Sequence, residues 1–131
     1  MSVRARDLEA RSGALDGAWR GAVCRGPGGM AGHHRLCHAV GALFDLPHAE
    51  THAVLLPHTI AYNTPAARDA IGRAAQALGA ADAADGLVDL AARLGAPRPL
   101  AESGMPEDGI PTAAAPPTQT PHRTPRPAAA A

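Results

Sequence analysis

Six of the seven histidines in this chain fall within one stretch, Gly32 to Asn63, which reads GHHRLCHAVGALFDLPHAETHAVLLPHTIAYN. The stretch has room for two helices and a sharp joint. His34 and His38 are four residues apart, so on a helix they share a face, with Cβ atoms about 5–6 Å apart. Helical geometry should break at Phe44-Asp45-Leu46-Pro47. Pro47 is suited to opening a second helix, because its ring presets φ and a first turn has no use for its missing N–H. His48 follows at once and His52 one turn later. A hairpin of this kind points His34, His38 and His48 into one cleft. His33, next to His34, is expected to face solvent. Imidazoles on facing helices suit a divalent ion such as Zn2+ or Fe2+, or a proton relay near neutral pH. A lone helical histidine is usually a surface or core residue with an ordinary hydrogen bond, but six in HxxxH and PH spacing ask for more than that.

The remaining chain reads as helices that support this stretch. A first helix is expected from Arg4 to Cys24, with an apolar stripe of Leu8, Leu15, Trp19, Ala22 and Val23. Gly13, Gly17 and Gly21 recur every fourth residue, a spacing that would form a smooth contact ridge. The breaker cluster Arg25-Gly26-Pro27-Gly28-Gly29 should end it, and no Lys-Ser or Lys-Thr pair follows to make it a phosphate loop. The histidine helices are expected over Met30 to Leu43 and His48 to Tyr62. Leu36, Val40 and Leu43 should pack the first; Val54, Leu55, Leu56 and Ile60 make the second apolar enough to be central. Pro57 should kink the second helix, leaving His58 to meet freed carbonyls or solvent. Thr64 and Pro65 read as the cap and first position of a helix ending at Leu78-Gly79, with a stripe of Ala67, Ile71, Ala74 and Leu78. Asp82 should cap a last helix to Leu94, with Gly95 closing it and Leu87, Val88, Ala91 and Leu94 as its stripe. The expected fold is therefore all-α, a domain of about five helices over residues 1–110. Residues 111–131 contain no Leu, Ile, Val or aromatic residue and form a Pro/Ala/Thr-rich tail that cannot offset its ordering entropy, so disorder is expected there.

Composition removes several function classes. Twelve Arg and no Lys balance twelve Asp plus Glu, giving a formal charge of zero, so nothing points to nucleic acid or an anionic membrane as partner. Cys24 and Cys37 are too few for a disulfide framework, and Cys37 reads as a small buried apolar residue. No segment approaches the ~20 apolar residues of a membrane span. The charged N-terminus lacks a secretory core, so a cytoplasmic location is expected.

HHRLCH, FDLPHAETHAV and LLPH, with GMPEDGI further on, closely resemble the iron-containing alcohol dehydrogenase family in its maleylacetate reductase branch. Most of that family carries PHG and then an Asn-Ala pair; His48-Ala49-Glu50-Thr51-His52-Ala53 is the form of this branch. The likeness is read from about Ala10 to Ile110. Its end there implies a tail read out of the ancestral frame. The resemblance implies a helical C-terminal domain whose partner, an N-terminal α/β domain, binds NAD(P)H. It implies that His34 and His48 are metal ligands, that His38 lies near the nicotinamide and moves a proton, and that His52, in place of the Asn, faces substrate. The remaining Asp and His ligands and the nucleotide-binding segment belong to an earlier part of such enzymes, so this chain alone is expected to be inactive, with an upstream nucleotide-binding half or a homodimeric copy as partner. The branch also allows a site without metal, where histidines bind substrate carboxylates and supply a proton. The implied reaction is reduction of the carbon–carbon double bond of maleylacetate to give 3-oxoadipate, a step of aromatic compound degradation. Against it stand a non-catalytic helical remnant and a small His-rich metal-binding module using His34, His38 and His48.

Overall fold

A computed structural model describes residues 7–28, 31–97, 99–113 and 125–126. Among these, the fold is all-α, with five α-helices: α1 (Leu8–Gly28), α2 (Gly32–Phe44), α3 (His48–Asn63), α4 (Arg68–Leu78) and α5 (Ala83–Leu94). Two 3-10 turns accompany them, Thr64–Ala66 between α3 and α4 and Leu100–Ser103 after α5. The chain divides into two units, Met1–Met30 and Ala31–Ala131.

The first unit is α1. The Asp7 carboxylate accepts from the Glu9 and Ala10 amides at 3.0 and 3.3 Å and so occupies two of the orphan donors at the helix start. Arg20 and Asp16, one turn apart, pair at 2.7 Å on the surface. Leu8, Leu15, Trp19 and Val23 are exposed along the helix. Gly13, Gly17 and Gly21 meet nothing within the unit, so the expected glycine ridge is not used there. The helix also runs through the Pro27 position to Gly28, four residues beyond its expected end. A proline costs the turn before it one hydrogen bond, which shortens the ladder without having to end it at once.

The second unit carries the histidines. α2 ends where Asp45 takes a left-handed conformation, φ 51° and ψ 43°. Asp is among the few non-glycine residues that visit this region readily. The amides of Asp45 and Leu46 both close on the Gly41 carbonyl. Leu46 is buried, and Pro47, with φ −57° and ψ 128°, delivers the chain into α3. Thr51 is 1 % exposed and donates its hydroxyl to the Pro47 carbonyl at 2.7 Å, which removes the cost of burying it. α3 continues through Pro57 and packs against both α2 and α5, which makes it the central element of this unit.

Two small apolar clusters hold the unit. Val40, Leu46 and Ala113 form one, with Leu36, Phe44, Leu55, Leu100 and Met105 against them. Ile71, Ala75 and Ala83 form the other, with Ile60, Ala67 and Ala74. The α4–α5 corner is tight. A Cβ at Gly86 would stand 2.8 Å from the Ala80 Cβ, so only glycine lets α5 approach that turn.

Four local expectations need correction. Thr64 does not cap a helix running to Leu78. Its hydroxyl turns back to the Ile60 carbonyl at 2.9 Å, a 3-10 turn follows, and α4 begins at Arg68. The buried face of α5 is Ala83 and Gly86, whereas Val88 and Leu94 of the expected stripe are exposed; close approach selected the small residues. Leu43 of α2 is likewise exposed. The expected tail starts at 111, yet residues 109–113 are helical and Ala113 is 6 % exposed. Arg126 sits over the Tyr62 ring at 4.6 Å and its amide donates to Asn63 Oδ1 at 3.2 Å. The rest of the expected disorder falls on 114–124 and 127–131, outside the described residues. No helix among the described residues is long and apolar enough to cross a membrane.

Candidate functional site

α2 and α3 meet along one seam, and five imidazoles line it. His34 and His38 come from one face of α2, His48 and His52 from the facing turns of α3, and His33 from the flank of α2. The rings of His48 and His52 lie 4.4 Å apart between centroids, and those of His34 and His52 lie 4.7 Å apart. His38 is 5.5 Å from His48 and 6.3 Å from His52. His34 and His48 thus both flank His52, so the two helices do direct their histidines into one cluster. His38 and His48 are exposed at its mouth, while His34 and His52 are partly buried behind them. One ligand atom from each of His38, His48 and His52 lies within 4.8 Å of the other two. This open set of three nitrogen donors fits a divalent ion that keeps a position free for substrate or water.

The expectation for His33 was wrong. The side chain is partly buried, its ring is 5.0 Å from His52, and Cys37 Sγ lies 3.6 Å from its Nε2. Its Nδ1 lies 3.2 Å from Thr59 Oγ1. His33 and Cys37 have the same four-residue spacing as His34 and His38, and HHRLCH contains both pairs in plain view. Thr59 had no such signal, since only the docking of α3 on α2 brings it to His33. His58 is exposed and stands apart from the cluster. It borders an apolar cavity of about 610 Å³ lined by Leu36, Val40, Leu55, Leu100 and Met105, which contains none of the five clustered histidines.

The electrostatics follow from burial and from like neighbours. Burial, and then the charges of His33, His48, His34 and His38, hold His52 down to about 4. Burial and the neighbouring His34 lower His33 as well. Both imidazoles are therefore neutral near pH 7 and offer a lone pair. Burial pushes the Cys37 thiol up to about 11, so it is protonated there. His52 Nε2 is buried without a hydrogen-bond partner. A buried nitrogen left unpaired at the centre of such a cluster costs about 1–3 kcal/mol unless a ligand meets it.

The chain is similar to known proteins over most of its length. Residues 1–130 match the family model described as Fe-containing alcohol dehydrogenase family, C-terminal. A maleylacetate reductase of Burkholderia cepacia is 50 % identical over 127 residues, covering 97 % of this chain and 36 % of the relative. One from Sphingobium indicum is 49 % identical over 121 residues, covering 92 % and 34 %. The crystal structure of maleylacetate reductase from Agrobacterium tumefaciens superposes with a TM-score of 0.73 at 50 % identity, covering 77 % of this chain and 29 % of that one. An iron-containing alcohol dehydrogenase from Corynebacterium glutamicum reaches a TM-score of 0.86 at 38 % identity, covering 96 % and 36 %. The chain spans about a third of the length of the relatives it matches. The family match runs past Ile110, the expected end of the likeness, to residue 130.

Proposed function

The chain belongs to the Fe-containing alcohol dehydrogenase family, and from that premise we propose that it is the helical part of a reductase of the maleylacetate type. The reaction is hydride transfer from NADH or NADPH to one carbon of the substrate's carbon–carbon double bond, with a proton added to the other, turning maleylacetate into 3-oxoadipate. The nicotinamide cofactor belongs to an α/β domain that works with this one. The observation that carries the reading is the meeting of His34, His38, His48 and His52 along the α2–α3 seam.

Each side chain has a task that suits its place. His38, exposed at the mouth, supplies the proton as the general acid. His52 is neutral and has a free buried Nε2, which suits a hydrogen bond to a substrate carboxylate or carbonyl. His34 and His48 are the residues that would hold a divalent ion, Fe2+ or Zn2+. Such an ion would polarise a substrate oxygen as a Lewis acid. Of the two, His48 shares the open donor set with His38 and His52, and His34 stands next to His52, with ring centroids 4.7 Å apart. The same residues also serve a site without metal, in which the histidines alone hold the substrate's carboxylates.

The test is an assay of the chain together with a nucleotide-binding α/β domain. Maleylacetate-dependent oxidation of NADH or NADPH is expected. His38→Gln should lower kcat about 10²–10⁴-fold with a smaller effect on KM, since the lost interaction acts in the transition state. Absence of turnover by the unaltered pair would favour a non-catalytic helical module, and full activity in His38→Gln would remove its proposed role.

A further inference from the structure

Behind the open face of the cluster lies a second set of donors, His33, Cys37 and His52, of which the reductase reading leaves His33 and Cys37 idle. One ligand atom from each lies within 4.8 Å of the other two. Cys37 is 2 % exposed, and His33 and His52 are partly buried, so this set is enclosed where His38 and His48 are open. The geometry points to an inner zinc site formed by His33 Nε2, Cys37 Sγ and His52 Nε2, distinct from the outer histidines.

Hydrogen bonding selects the required tautomer. Thr59 Oγ1 donates its proton to the Leu55 carbonyl at 2.9 Å. A hydroxyl has one proton, so toward His33 Nδ1, 3.2 Å away, it acts as acceptor. His33 Nδ1 therefore carries the hydrogen, and Nε2 is left with a lone pair beside the Cys37 sulfur, 3.6 Å off. A second partner that fixes tautomer and ring orientation in this way is the usual support of a histidine ligand. On the facing helix, His52 Nε2 is buried with no partner. Two ready nitrogens and a thiol one helical turn from the first make a borderline-soft donor set, which suits Zn2+ better than the hard ions. Binding forms a zinc–sulfur bond and releases the thiol proton to solvent, and water completes the fourth position. Such an ion would draw His52 Nε2 away from the mouth, so inner-site zinc and a substrate contact by His52 exclude one another.

Cobalt(II) is the probe, used on the full chain carrying Cys24→Ser so that Cys37 is the only thiol. A sulfur-to-cobalt charge-transfer band in the near ultraviolet is expected, reversed by added zinc. The band should persist in His48→Gln and vanish in Cys37→Ser. Thr59→Val should weaken cobalt binding about 10–100-fold, the usual effect of losing an outer partner. Circular dichroism would establish that each variant is folded. Should Cys37→Ser unfold, zinc X-ray absorption of the parent protein decides, with one sulfur at about 2.3 Å and nitrogens near 2.0–2.1 Å expected. Binding without the band, a zinc shell of nitrogen and oxygen alone, or binding lost in His48→Gln and kept in Cys37→Ser would each overturn the site. All these readouts are independent of nicotinamide turnover, so failure of the inner site and failure of the reductase reading can be told apart.

Discussion

His52 is where the chemistry of single residues concentrates, because every other imidazole of the seam adds to its cost of carrying charge. Its folded value of about 4 lies below the ordinary 6.5. Above pH 6.5 it is neutral whether the chain is folded or not, and it has no effect. Between 6.5 and 4 the unfolded chain takes the proton and the folded one does not, so stability is lost as pH drops through this window and levels off below it. Discounted for the solvent at its open side, the loss is about 1–2 kcal/mol. Thermal melts from pH 7.5 to 4.0 should show Tm falling on the acid side, and His52→Asn should flatten that fall. An unchanged profile in the variant would place the acid sensitivity elsewhere. At this scale much of the site could be read from the sequence. HxxxH and PHxxxH set four histidines on two faces, and a proline joint turned those faces together. His33 was misread because adjacent helical residues point about 100° apart, which holds for one helix by itself. His52 reaches in far enough to touch both His33 and His34.

Between helices, small differences in distance decide whether a residue helps or harms. Gly72 and Gly86 lie in consecutive helices, α4 and α5. Alanine at Gly72 meets nothing within 4 Å, so it should gain helix propensity and raise stability by up to about 1 kcal/mol. Alanine at Gly86 would have the same propensity gain but would press on the Ala80 Cβ at 2.8 Å and the Leu78 side chain at 3.2 Å. Overpacking of that kind costs about 1–3 kcal/mol, so it wins and Gly86→Ala should be net destabilising. Urea melts of the two variants should move in opposite directions; movement in the same direction would show that the corner opens to accept the methyl. The helices themselves were legible because their ends are marked by chemistry, such as the Asp82 carboxylate that accepts from two amides at 2.7 and 3.1 Å. Their buried faces were less so. The hydrophobic stripe of α5 favours Leu87, Val88, Ala91 and Leu94, whereas the close α4–α5 approach buries Ala83 and Gly86. Thr64 likewise had two acceptable partners, and the choice between capping forward and bonding back to Ile60 depends on where α3 ends.

Over the whole chain the apolar surface is unevenly covered. α1 exposes Leu8, Leu15, Trp19 and Val23 on the one helix that forms its own unit. A helix presenting a row of large apolar residues tends to find another apolar surface. Sedimentation velocity should show concentration-dependent self-association, reduced by the double substitution Leu15→Glu and Trp19→Glu. Identical behaviour of the two proteins at all concentrations would mean that the row is not adhesive. The all-α class, the count of five helices and the family could be read from the sequence, because they rest on periodicity and on one long motif. The contribution of residue 113 to the core could not, since nothing in a run of Pro, Thr and Ala announces that one alanine will meet Val40 and Leu46. Leu46 itself, wedged beneath the turn from α2 into α3, has a consequence for the whole assembly of rings. The joint between the helices is three residues, Asp45 to Pro47, with its one apolar member anchored inside. The joint acts as a gauge block between two toothed racks, tolerant of its material and intolerant of its thickness. One residue more or fewer would turn a rack by a tooth, leaving two sound helices whose imidazoles no longer mesh.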